Sequence, residues 1–322
     1  ADMKHLLPSI LLLMMLPVTY GQEQVAYNQY FVDYTLMNPA LIGRYNCYTI
    51  SLAHHHQWLG LPGAPNTQLL YAQGRIGPNH FKASNYHGLG AKLMKDRNGP
   101  GGTFAVSATY AYHILLARHQ DIHLSLALAG FAEQHYLDQS GFDNYANDPA
   151  VSGGRESFIR PDADFAFLLY SPKYFLGGTA ANLIPSAGSF SQPPATPKYT
   201  RTYFFLGGMR LDSPDDDLAF QPVIAFKWND QLHQQLDINL KVLYAERVWG
   251  GLSYRRTMDE LPGRSKALAA ALGMVWEHLY INYGYEAGFN GLQWKSWGSH
   301  QLRLGWRICR DAKGMVPCPA YH

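Results

Sequence analysis

Apolar and polar residues alternate with a period of two through much of this chain. In "DIHLSLALAG", Ile122, Leu124, Leu126 and Leu128 alternate with His123, Ser125, Ala127 and Ala129. In "QQLDINLKVLYAE", Leu236, Ile238, Leu240, Val242 and Tyr244 alternate with Asp237, Asn239 and Lys241. The same pattern runs through "EHLYINYGYEA" and through "SHQLRLGWRIC" near the C-terminal end. Period two is the signature of β-strands with one apolar and one polar face. Counted along the chain, it predicts about 14 strands. They run from 46–58, 66–77 and 85–95 near the start, through 102–114, 120–133 and 160–170, to 265–276, 278–287 and 298–308.

A soluble sandwich also alternates, so strand length and face chemistry have to decide. The segments run about 10–13 residues, as a tilted membrane strand requires, whereas soluble strands average about 5–6. Their polar faces carry Lys, Arg, Asp and Glu beside Gly, which suits a wet barrel lumen. Aromatic residues near segment ends (Tyr48, Trp58, Trp228, Trp249, Trp276, Trp294 and Trp297) suit interfacial girdles. The connections add an independent test, because outer-membrane barrels have short periplasmic turns and longer outer loops. Connections 4–5, 6–7, 8–9, 10–11 and 12–13 are short, whereas 134–159 and 183–198 are long. The long ones share one parity, which puts both termini on the periplasmic side. Connection 2–3 is longer than that rule expects, and connection 9–10 is shorter. The expectation is an all-β, transmembrane, antiparallel outer-membrane β-barrel.

Before the first strand, "MKHLLPSILLLMMLPVTYGQEQ" starts at Met3 with Lys4 and His5, continues as an apolar run, and offers Thr19 and Gly21 ahead of Gln22. That is the pattern of a secretory signal peptide over 3–21. The run holds Pro8 and Pro17 and is too short for a membrane anchor. Residues 22–45 then form an N-terminal segment for the periplasmic mouth or the lumen. Its Tyr27, Tyr30, Phe31, Tyr34, Leu36 and Met37 are too apolar to stay free in water. The barrel is expected over 46–309 and a periplasmic tail over 310–322.

Composition narrows the partners. The 322 residues carry a formal net charge of +2, with 16% charged and 14% aromatic side chains. So small a charge does not suggest nucleic acid. The expected surroundings are outer-membrane lipid.

Candidate chemistry is sparse. On a strand His54 and His56 share a face and His55 opposes them, so only two of the three converge, and no metal site is expected. There is no G-x-S-x-G, H-E-x-x-H, P-loop or paired C-x-x-C motif. Asp162 and Asp164 share a face, as a glycosidase pair would, but read better as charges facing the lumen. "SPDDDL" at 213–218 lacks the Gly and Glu of a calcium loop. No catalytic residue and no cofactor is assigned. Three cysteines remain. Barrel closure brings Cys47 near Cys309, and Cys318 follows on the tail. One disulfide is expected at this end. Cys309–Cys318 is favoured over a bridge from Cys47, because a tail loop adjusts its geometry more easily than two opposed strands.

One short stretch stands out. "QWLGLPGAPNTQ" at 57–68 packs Pro62, Pro65, Gly60 and Gly63 into a single connection. The prolines fix φ and the glycines allow backbone forms that other residues resist, so the turn is rigid. It either sets the register of the first two strands or forms a docking surface. In the second case Gln57, Trp58, Leu61, Pro62, Gly63 and Pro65 are the partner-binding candidates.

That stretch follows "QYFVDYTLMNPALIG" and precedes "HGLGAKLMKDRNGP", "YAYHILL", "GLSYRR" and "GSHQLRLGW". In this order and spacing the chain resembles the PorP/SprF family of type IX secretion and gliding-motility outer-membrane proteins of Bacteroidetes. Asp33 stands where the family more often has Asn, and Gln301 where Glu commonly follows Ser-His. The resemblance implies a non-enzymatic outer-membrane barrel that works with the type IX machinery. It further implies a part in secreting, or holding at the cell surface, cargo with a C-terminal sorting domain, and association with periplasmic, peptidoglycan-associated components. The alternative on a similar barrel is a channel or transporter for small solutes.

Overall fold

A computed structural model describes residues 32–309 apart from 78–84, 141–153, 185–199, 216, 231–232, 259–265 and 290–294. The proposed signal peptide, the tail with Cys318 and most of the 183–198 loop lie outside the described residues.

The strands are β1 (Cys47–His56), β2 (Asn66–Ile76), β3 (Tyr86–Asn98), β4 (Gly101–Ala117), β5 (Ile122–Asp138), β6 (Arg155–Tyr170), β7 (Tyr174–Ala181) and β8 (Thr202–Met209). The short β9 (Leu211–Asp212) continues β8 past Arg210 along the same neighbour. The remaining strands are β10 (Leu218–Asn229), β11 (Gln234–Tyr244), β12 (Val248–Thr257), β13 (Lys266–Trp276), β14 (Leu279–Gly288) and β15 (Ser299–Cys309). Each pairs antiparallel with its neighbours, and β15 returns to β1, so the sheet closes into a barrel with fourteen staves. Closure leaves no unpaired edge in the membrane, where unsatisfied backbone groups are most costly. β4, β5 and β6 run longer than the alternation alone indicates, because the ladder continues through half-buried polar residues such as His135 and Glu156.

The two faces are the inverse of a soluble protein's. Along β1, Tyr48, Ile50 and Leu52 are exposed while Cys47, Thr49, Ser51 and Ala53 are buried. Along β13, Leu268, Leu272 and Met274 point out and Ala267, Ala269 and Ala271 point in. Large apolar residues on the outside are favourable only against lipid, and small or hydroxylic residues inside leave room in the lumen. Trp276, Trp297 and Tyr48 are exposed, as girdle residues should be, and Trp228 stacks on Phe205 with centroids 5.1 Å apart. Trp249 departs from that expectation. It is an inward position of β12, 1% exposed, and packs in the lumen against Val32 and Leu243.

One barrel end holds the tight connections 118–121, 171–173, 213–217, 245–247 and 277–278, together with 77–85. The other holds 57–65, 139–154, 182–201, 258–265 and 289–298, together with the short 99–100 and 230–233. Cys47 and Cys309 are directly opposed at the tight-turn end and form a disulfide. The expected Cys309–Cys318 bridge is thereby overturned: the closing register already sets the two strand cysteines face to face, so Cys309 is used across the seam.

Candidate functional site

Residues 32–44 lie inside the barrel. Met37, Ala40 and Leu41 pack on Ala111, Ala127, Ala166, Leu168, Leu206 and Ala225. Val32 packs on Ala219, Leu243, Ala269 and Ala271, and Leu36 reaches Ala53, Leu69, Met94 and Ala105. These contacts go round the wall from β1 to β13, so the segment fills the cross-section.

The local sequence explains its shape. Asp33 and Asn38 each cap a short 3₁₀ turn, Tyr34–Leu36 and Pro39–Leu41. The Asp33 carboxylate accepts from Thr35 N at 2.9 Å, and Asn38 Oδ1 accepts from Ala40 N at 2.9 Å. Pro39 at the first position of its turn has no N–H to satisfy. Both side chains also reach the wall. Asp33 pairs with Arg303, whose guanidinium also donates to Ser51 Oγ at 3.0 Å. Asn38 Nδ2 donates to Phe167 O at 3.0 Å. The Lys241 amine lies 5.0 Å from the Tyr34 ring centroid and 4.7 Å from that of Trp249. Burial pushes the Tyr34 phenol well up, so it stays neutral.

The exit of the segment is fixed at Ile42–Arg44. Gly43 adopts φ +77°, and its neighbour across the gap is the backbone of Gly88. His113 bonds Ile42 O through Nε2 at 2.8 Å and Tyr170 Oη through Nδ1 at 2.8 Å, and Tyr170 in turn bonds Tyr86. Because the Ile42 carbonyl can only accept, Nε2 carries the proton. Nδ1 of the neutral ring then accepts from Tyr170, and Tyr170 accepts from Tyr86. Arg44 donates to Ser171 O at 3.2 Å.

The half of the lumen towards the long loops carries two ion triads. Arg160 pairs with Glu133 at 2.6 Å and with Asp162. Arg255 pairs with Asp237 at 3.2 Å and Glu286 at 3.0 Å. Asp162 therefore faces the lumen in an ion pair, and Asp164 accepts from Asn182 N at 3.0 Å. His54 is exposed on the outer face while His55 is buried on the inner one.

The 57–65 connection is a rigid part of the long-loop rim. Gln57 N donates to Pro65 O at 2.9 Å, Leu61 N to Trp58 O at 3.1 Å, and Gly99 N to Gly63 O at 2.9 Å. Leu59 and Gly298/Trp297 exchange two backbone bonds, both 2.8 Å. Gly60, at φ +96°, lies under the Trp297 ring, where a Cβ would come within 2.9 Å of Cδ1. Of the sequence candidates, Gln57 and Pro65 are buried, Trp58 and Leu61 half-buried, and Pro62 and Gly63 exposed. The exposed apolar pair is Leu59 and Trp297, at 39% and 77%. The motif reading missed Trp297 because the residue that completes the patch lies far away in the chain.

The comparisons add identity. No curated protein matches the chain. Among solved structures, the CymD monoaromatic hydrocarbon channel is similar with a TM-score of 0.54 at 9% identity, covering 87% of this chain and 93% of that one. Omp33 of Acinetobacter baumannii is similar with a TM-score of 0.42 at 5% identity, covering 82% and 99%. At 9% identity the CymD likeness speaks for the barrel fold alone. Residues 19–306 match the family described as "Type IX secretion system membrane protein PorP/SprF". That match spans most of the chain and places it in the bacterial outer membrane: the protein belongs to the PorP/SprF family of type IX secretion system membrane proteins.

Proposed function

We propose that this barrel is a non-enzymatic attachment component of the type IX machinery, which holds cargo with a C-terminal sorting domain at the cell surface and does not conduct that cargo through its own lumen. The observation that carries the reading is the filled cross-section: residues 32–44 occupy the space a polypeptide would need. Contact with cargo then falls to the rim, where Leu59, Pro62 and Trp297 present exposed apolar surface on a hydrogen-bonded, preformed loop. A rigid aromatic anchor loses little entropy on docking. In this reading both termini face the periplasm, the side of the peptidoglycan-associated components. Affinity capture of the native protein from outer membranes tests it. The Leu59→Asp/Trp297→Asp variant should lose the sorting-domain cargo and keep the periplasmic components. Cargo retained at the wild-type level would overturn the rim assignment.

A further inference from the structure

We propose that residues 32–44 are a displaceable plug, and that its withdrawal turns the barrel into a rectifying pore for small ions, lined by cations in its tight-turn half and by carboxylates in its long-loop half.

The plug does not belong to the sheet. Among the described residues, the backbone–backbone bonds of 33–44 close within the segment, as in Met37 N to Tyr34 O at 3.0 Å and Leu41 N to Asn38 O at 3.1 Å. The ladder that closes the barrel, β15 on β1 and β10 on β11, does not include it. The plug can leave without opening the wall. It also need not thread through the barrel, since both ends lie at the same rim. Val32 packs on Leu243 and Trp249 beside the 245–247 turn, and Arg44 bonds to Ser171 in the 171–173 turn. Gly43, with its positive φ, is the natural hinge.

Between the apolar patches that the plug covers, the wall carries polar inward positions. Thr49, Ser51, Thr109, Ser125, Asn239 and Ser253 are buried inward positions there or close by. The plug's Asp33 neutralises Arg303, and Lys241 lies in the same charge cluster. Withdrawal takes that carboxylate away and leaves Lys241 and Arg303 near mid-lumen, with Arg75 and Arg307 against Asp121 towards the tight turns. In the other half Glu133, Asp162, Asp237, Glu286 and Asp96 outnumber Arg160, Arg255 and Lys227. Lys92 and Asp164 interact and offset each other between the two halves. A lumen whose fixed charge changes sign along its axis accumulates mobile ions under one polarity and is depleted under the other, so its current is asymmetric.

The test is single-channel recording on the full chain in planar bilayers, with potassium chloride as the permeant salt. Wild type should stay near baseline. Asp33→Ala/Asn38→Ala should raise the open fraction roughly tenfold or more, because each lost contact acts directly on the closed–open equilibrium. Its currents should differ at equal and opposite voltages. Adding Lys241→Gln and Arg303→Gln should flatten that asymmetry. Thr35→Cys, buried in wild type, should become reactive to a water-soluble maleimide in the Asp33→Ala/Asn38→Ala background. Folding is checked by heat-modifiable migration; if the double variant fails that check, Asn38→Ala alone carries the test. A folded variant that stays closed, a wild type that conducts as much as the variant, or symmetric currents in the open variant would overturn the proposal.

Discussion

Cys47 and Cys309 face each other across the seam where the last strand rejoins the first, with Cα atoms 4.0 Å apart and their sulfurs bonded. The bond links positions 262 residues apart. On the chain-entropy relation, closing a loop that long stabilises by roughly 5.5 kcal/mol. Cys47→Ser should therefore lower the temperature at which the folded band converts to the unfolded one, while the ladder still closes the barrel. Non-reducing peptide mapping should yield a linked Cys47–Cys309 pair. A linked Cys309–Cys318 pair would refute the seam staple.

The contact between Gly43 and Gly88 is equally specific. A Cβ on Gly88 would sit 2.2 Å from Ile42 O, and one on Gly43 would sit 2.6 Å from Gly88 Cα. Gly88→Ala should push the segment's exit off the wall at about 1–3 kcal/mol, as overpacking does. Gly130, whose Cβ would meet open space, is the matched control. Proteolysis near Arg44 should accelerate in Gly88→Ala and not in Gly130→Ala.

The barrel was legible because each stave sets one face against lipid and one against the lumen, and period two records that directly. The end residues of β5 and β6 were not, since Glu133, Gln134, Glu156 and Ser157 carry no apolar alternation, and this stretch is held by cross-strand pairs such as Arg160–Glu133. Trp249 looked like a girdle residue because its sequence position is a strand end. Its direction depends on register, and a shift of one residue reverses the face. The apolar character of 22–45 pointed towards a mouth or lumen position. That Asp33 would meet Arg303, 270 residues later, was invisible to local spacing. The cysteines mark the same limit: strand order brought the two together, but only the register Cys47↔Cys309 decided the bond.

The orientation rests on loop parity. An epitope inserted within 183–198 should be reachable by antibody on intact cells, because that connection falls at the long-loop end and outer loops are the long ones. A tag after His322 should be reachable only after permeabilisation. The opposite pattern would invert the barrel.

The β11–β12 turn holds two non-glycine residues at positive φ, Ala245 at 48° and Glu246 at 54°. This is the hairpin geometry that favours Asn or Gly at both positions. The Glu246 side chain is held by Arg210, whereas Ala245 is held through its backbone, its N–H donating to Asp217 O at 2.7 Å, a bond that a glycine keeps. Ala245→Gly should raise stability by about 0.5–1 kcal/mol, by relieving the left-handed strain. A fall in the unfolding temperature would show that the turn is not under that strain.

The Arg255 triad gives the sharpest test of the charged lumen. Arg255 comes from β12, Asp237 from β11 and Glu286 from β14, so one guanidinium ties three staves together. Their side chains are 9%, 1% and 10% exposed. Removing one partner of such a cluster leaves charge buried and uncompensated, which typically costs about 3–5 kcal/mol, whereas removing the charges together costs much less. Arg255→Ala should therefore strand two carboxylates near each other and lower the unfolding temperature sharply. Arg255→Ala/Asp237→Asn/Glu286→Gln should recover most of the loss, even though it makes no ion pair at all. The comparison separates electrostatics from packing, because both variants delete the same arginine side chain. If the triple variant were no more stable than the single one, the guanidinium would be acting through its bulk, and water in the lumen would already be screening the carboxylates.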